Sequence, residues 1–104
     1  MRTIPLKEDL IVEFKSDIKK YSDSDLIDEI VGMSNTKGGT LYLGVEDDGE
    51  ITGVYPKHKD AIGVTALIAN STVPSISVRA EVITEEEKDI LKIEITRCWN
   101  LCVY

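Results

Sequence analysis

Asn35-Thr36-Lys37-Gly38-Gly39-Thr40-Leu41-Tyr42-Leu43-Gly44-Val45-Glu46-Asp47-Asp48-Gly49-Glu50-Ile51-Thr52-Gly53-Val54 sets the order of elements in this chain. The segment opens at a helix end, where Gly38-Gly39 supplies the positive backbone angles needed to turn into a strand. Leu41, Leu43 and Val45 then alternate with Tyr42, Gly44 and Glu46, which predicts a half-buried strand over Thr40 to Glu46. Asp48-Gly49 is a strong hairpin signal, because a type I′ turn needs positive φ at both central positions. Ile51 to Val54 is therefore expected to return as the next strand.

Upstream, Leu10, Val12 and Phe14 alternate with Ile11, Glu13 and Lys15, predicting a strand over Leu10 to Lys15. The polar stretch Asp17 to Ser24 reads as a turn. A helix follows, with Ser22 or Ser24 as N-cap and acids in its first turn, where the helix dipole favours them. Its expected buried stripe is Leu26, Ile27, Ile30, Val31 and Ser34. Gly32 costs that helix about 1 kcal/mol relative to alanine, and close packing against a neighbour would account for it. Downstream, Pro56 ends the third strand and the Lys57-His58-Lys59-Asp60 segment leads into a second helix, about Ala61 to Asn70. Ile76 to Val82 and Leu91 to Ile95 alternate as a second hairpin, joined by a solvated turn at Thr84 to Asp89. The order is β-α-β-β-α-β-β, an α/β (α+β) fold with a mixed, mainly antiparallel sheet and its helices on one face.

At 104 residues and 42% apolar, the chain reads as one domain, 1–104, soluble and globular. No apolar run approaches a membrane span, and Met1-Arg2-Thr3-Ile4-Pro5 lacks the apolar core of a signal peptide. A cytoplasmic setting is expected. Cys98 and Cys102 offer no disulfide framework and no zinc spacing, and both read as incidental. The net charge of −7 opposes any nucleic-acid partner bound mainly by counterion release. The acids, however, gather in three runs, Asp23 to Glu29, Glu46 to Glu50 and Glu85 to Asp89. Basic residues cluster at Arg2 and Lys7, at Lys15, Lys19 and Lys20, and at Lys57 and Lys59. This pattern allows a basic edge on an acidic body.

Lys37-Gly38-Gly39-Thr40 is not a phosphate cradle of the P-loop kind. The glycines follow the lysine, and the order helix–glycines–strand presents the wrong end of the helix dipole. The acidic turn Glu46-Asp47-Asp48-Gly49-Glu50 lacks the offsets of an EF-hand, and hairpin turns collect Asp and Gly for conformational reasons alone. Glu8 and Glu13, five apart, point to opposite faces of a regular strand and converge only if the chain bends near Asp9. Lys15 is a natural screening partner for Glu13. His58 is the only histidine, which excludes a two-histidine metal site.

Together, Val12-Glu13-Phe14-Lys15, the Ser34–Gly49 segment and Ile51-Thr52-Gly53-Val54 resemble the Schlafen AlbA-like domain, also known as the divergent AAA-type ATPase domain. The resemblance covers roughly residues 6 to 96, and the later helix and the Val73-Pro74-Ser75-Ile76 step also fit. It implies a compact α/β domain of bacterial proteins described as transcriptional regulators, with DNA or RNA as the usual partner and homodimerisation open. Lys15, Lys19, Lys20, Lys37 and Arg79 are the expected phosphate contacts, with no catalysis and no cofactor. The resemblance also implies two alternatives. One is a metal-dependent endoribonuclease, as in some animal Schlafen proteins, holding Mg or Mn with Glu8, Glu13 and Asp47 or Asp48 as catalytic and metal-binding acids. The other, from the older label, is an ATP-binding module. The family usually continues past the point where this chain ends, so Cys98 to Tyr104 departs from its pattern.

Overall fold

Helix α1 (Asp23–Ser34) begins where its local signals place it, with the Ser22 hydroxyl accepting from the Asp25 amide at 3.0 Å. The computed structural model that shows this describes residues 4–5, 11–98 and 101–104. Leu26, Ile27, Ile30, Met33 and Ser34 are the buried residues of α1, Met33 taking the place expected of Val31. Four strands follow the chain as β1 (Val12–Lys15), β2 (Gly39–Leu43), β3 (Val78–Glu85) and β4 (Lys88–Ile95). A 3-10 turn (Pro56–Lys59) leads into α2 (Ala61–Ser71), capped by the Asp60 side chain on the Gly63 amide. The expected strand start at Leu10 lies outside the described residues.

The sheet order is β1-β2-β4-β3, with β1 parallel to β2 and the other pairs antiparallel. The element order is β-α-β-α-β-β, one strand fewer than the sequence predicts. Ile51 to Val54 contributes a single bridge, Ile51 to Val45. The reason is Gly44, at φ 100°, which ends β2 at Leu43 and brings the two backbones into contact. A side chain there would lie 2.9 Å from the Gly53 carbonyl carbon, and both Thr52 and Gly53 amides donate to the Gly44 carbonyl. The chain crosses itself where a ladder was expected.

The two hairpin turns also exchange roles. Around Asp48-Gly49, Gly49 alone has positive φ, and its amide closes the turn on the Glu46 carbonyl. Two left-handed residues in succession occur instead at Glu86 and Glu87, φ 51° and 64°. The expected loop Thr84 to Asp89 thus shrinks to two residues, and the ladder runs on through Thr84↔Asp89 and Glu85↔Lys88.

Both helices cover one face of the sheet, as expected. Leu26, Ile30 and Met33 of α1 and Val64 and Ile68 of α2 pack on Leu41, Leu43, Leu91, Ile93 and Ile95. On the opposite face Phe14 and Tyr42 meet edge-on at 6.1 Å, in a smaller core with Ile4, Val45, Ile51 and Ile90. The cysteines are not incidental: Cys98 and Cys102 are bonded to each other, and Cys102 is buried. Asn35 holds this segment, its side-chain amide donating to the Cys102 carbonyl and its carbonyl accepting from the Cys102 amide, both at 2.8 Å. No described helix is long and apolar enough to cross a membrane.

Candidate functional site

The register places the candidate acids. Glu13 and Lys15 pair with Leu41 and Leu43, the β2 residues that lie under the helices, so both side chains border α1. The Lys15 ammonium lies 3.8 Å from Glu13 and 3.8 Å from Glu29 of α1. Lys15 thus lies within ion-pair distance of two carboxylates. Tyr21 stands beside the same group. Burial first, then Glu29, Asp25, Glu13 and Asp28, push its phenol up to about 12.

Asp47 and Asp48 are exposed in the turn beyond β2, and Asp48 accepts from the Glu50 amide at 2.9 Å. Glu8 lies outside the described residues. Among the described residues no three His, Cys, Asp or Glu side chains gather as a metal site. The glycine turn is occupied by the protein itself. The Gly38 amide donates to Met33 and the Thr40 amide to Ile11, at 2.7 and 2.8 Å. A side chain on Gly39 would collide with the Ile11 backbone, so this glycine, at φ 133°, serves close strand approach.

The basic candidates divide between the two ends of the sheet. Lys37 stands two residues before β2, and its turn abuts the end of β4: a side chain on Gly38 would lie 2.9 Å from the Arg97 amide nitrogen. Arg79 pairs with Glu94, itself opposite Thr40, so it also belongs to this end. Lys37, Arg79 and Arg97 are exposed. A polar groove of about 370 Å³ lined by Ser77, Val78, Arg79, Glu94 and Thr96 runs beside them. Lys19 and Lys20 follow β1 and stand at the opposite end. All three acidic runs stand there too: the start of α1, the turn beyond β2 and the β3–β4 hairpin tip. Lys57 and Lys59 are paired within that end, with Asp23 at 3.1 Å and Asp89 at 3.3 Å.

Sequence reasoning missed the most buried polar pair. His58 Nδ1 lies 2.7 Å from Asp17 Oδ2, the two side chains being 1% and 0% exposed. Asp17 also accepts from the Tyr21 and Tyr55 amides, at 2.6 and 2.8 Å. His58 Nε2 is buried without a hydrogen-bond partner among the described residues. The pair locks the loop after β1 to the segment before α2. Beside it a cleft of about 250 Å³ is lined by Asp17, Ile18 and residues 52–56. The pair is separated by 41 positions, so no spacing motif could have revealed it.

The family model described as Schlafen, AlbA_2 matches residues 8–102, and the chain belongs to that family. Among solved structures it is similar to the DIP2311 protein from Corynebacterium diphtheriae, with 23% identity and a TM-score of 0.68. That likeness covers 89% of this chain but 19% of the other, and at this identity it shows the fold alone. No curated protein matches the chain.

Proposed function

We propose that the chain is a non-catalytic nucleic-acid-binding module of a transcriptional regulator, contacting phosphates through Lys37 and Arg97. Family membership supplies the class, and the polarity of charge along the strands supports the surface. The three acidic runs lie at the far end of the sheet from Lys37 and Arg97, so a molecule of net charge −7 still offers a basic rim. The Ser77 and Thr96 hydroxyls in the adjoining groove add neutral donors for phosphate oxygens. Lys15, held by Glu13 and Glu29, has no part in this surface.

The test is fluorescence anisotropy with labelled DNA and RNA, single-stranded and duplex, across a salt series. Two neutralised phosphates predict a slope of about −2 in log K against log salt on duplex DNA. Lys37→Glu and Arg97→Glu should each weaken binding several-fold on every sequence, while Lys57→Glu should not. Absence of binding in low salt, or equal loss with all three variants, rejects the assignment.

A further inference from the structure

The order β1-β2-β4-β3 leaves β3 at the edge of the sheet, paired on one side only among the described residues. This edge is long and regular: eight residues in unbroken register with β4, without proline or bulge. Edge strands of this kind are normally protected, because their free N–H and C=O groups accept another strand. The phase of the hairpin says which groups are free. In a two-residue hairpin the flanking residues, here Glu85 and Lys88, form a hydrogen-bonded pair. Alternation then turns Ile83, Glu81 and Arg79 toward β4, and presents the amides and carbonyls of Val78, Ala80, Val82 and Thr84 to the open edge.

We infer that the occupant of this edge is a second copy of the chain, joined β3 to β3 in antiparallel register about a two-fold axis at Ala80. In that register Ala80 faces the partner subunit's Ala80 and Val78 faces the partner subunit's Val82, as hydrogen-bonded pairs using the free groups. Arg79 faces the partner subunit's Glu81, and the two-fold axis makes this pair twice. These are non-hydrogen-bonded positions, where Cα atoms approach to about 4.5 Å and opposite charges reinforce pairing. Arg79 is exposed and has no ion pair within 4.0 Å among the described residues, while Glu81 is 59% exposed and reaches Lys92 only at 3.9 Å. The next register, centred on Val82, keeps one opposite-charge pair, Arg79 with the partner subunit's Glu85, but sets Glu81 against Ile83 and Val78 against Glu86, so the matching of apolar with apolar positions favours Ala80.

The helix side of the same edge agrees. Val78, Ala80 and Val82 lie on the α2 face, beside an apolar groove of about 350 Å³ lined by Ala61, Ile62, Thr65, Ala66, Ala69 and Ala80. Ile62 at the groove is 85% exposed. Pairing at Ala80 brings the two α2 grooves to either side of the axis and shields them from water. Arg79 thereby serves association, in place of the phosphate contact expected of it from the sequence.

Sedimentation equilibrium of the full chain tests this. The expected result is a monomer–dimer equilibrium that Arg79→Glu or Glu81→Arg shifts to monomer at least tenfold. The double exchange Arg79→Glu with Glu81→Arg should restore the dimer, which a merely unfolded variant cannot do. Ala80→Cys should give a disulfide-linked dimer under mild oxidation, since hydrogen-bonded antiparallel pairs lie about 5.5 Å apart at Cα, within disulfide range. A chain that stays monomeric at all concentrations, a double exchange that fails to restore the dimer, or faster cross-linking by Val82→Cys than by Ala80→Cys overturns the inference.

Discussion

Gly32 and Gly63 both lie in helices, yet the same substitution should stabilise the protein at only one of them. A side chain on Gly32 meets nothing within 4 Å, so the close packing expected there is absent. Gly32→Ala should therefore stabilise the protein by about 1 kcal/mol, through helix propensity alone. A side chain on Gly63 runs into the carboxylate of Asp60, which caps α2 by accepting from the Gly63 amide. Gly63→Ala displaces the cap, and the loss of about 1 kcal/mol cancels or outweighs the propensity gain. Urea midpoints of the two variants, read at constant m-value, decide this. Tyr21 carries a pH dependence. Its phenol ionises at 10.0 when unperturbed and at about 12 in the fold. The stability it contributes is complete below 10.0 and is lost as pH rises through about 12. Tyrosinate absorbance should show one late step that Tyr21→Phe removes, and the variant should lose less stability over that alkaline range.

The β3–β4 hairpin turns through two glutamates with positive φ, a conformation that costs non-glycine residues about 1–2 kcal/mol each. Replacing Glu86-Glu87 by Asn-Gly, the pair a type I′ turn prefers, should raise stability by about 1–2 kcal/mol without changing the ladder. Thermal unfolding of the variant would reveal it, and an unchanged or lowered Tm would count against the assigned turn. This hairpin explains what was legible in the sequence. Helix α1 announced itself through a cap and a periodic stripe, both local. Glu86-Glu87 carries no turn signal. Eight matched pairs between β3 and β4 determine the turn between them, and that matching is written across two strands. Asp48-Gly49 does carry the signal, but the close crossing of Gly44 and Gly53 sets the path around it. Lys37 was legible as an exposed base beside a glycine turn. That Lys15 would be held by Glu29 depends on which face of β1 meets α1, and alternation alone does not name the face.

Across the whole molecule, the Asp17–His58 pair joins the end of β1 to the approach to α2, with the Tyr21 and Tyr55 amides on the same carboxylate. Asp17→Ala strands these donors in a buried site, at about 1–3 kcal/mol for each group left unsatisfied. A total of about 3 kcal/mol or more is a large part of the stability of a small domain, so denaturant unfolding should show a pronounced loss. An effect below about 1 kcal/mol would mean the loops are held by other contacts. The sheet is also unequal at its two edges: β3 has 8 residues and β1 has 4. Among the described residues, two copies joined along β3 would present only β1 at either extremity, too short a template to recruit a further strand. Such an assembly would be self-limiting, stopping at a closed pair where an equally long second edge would let it lengthen into a filament.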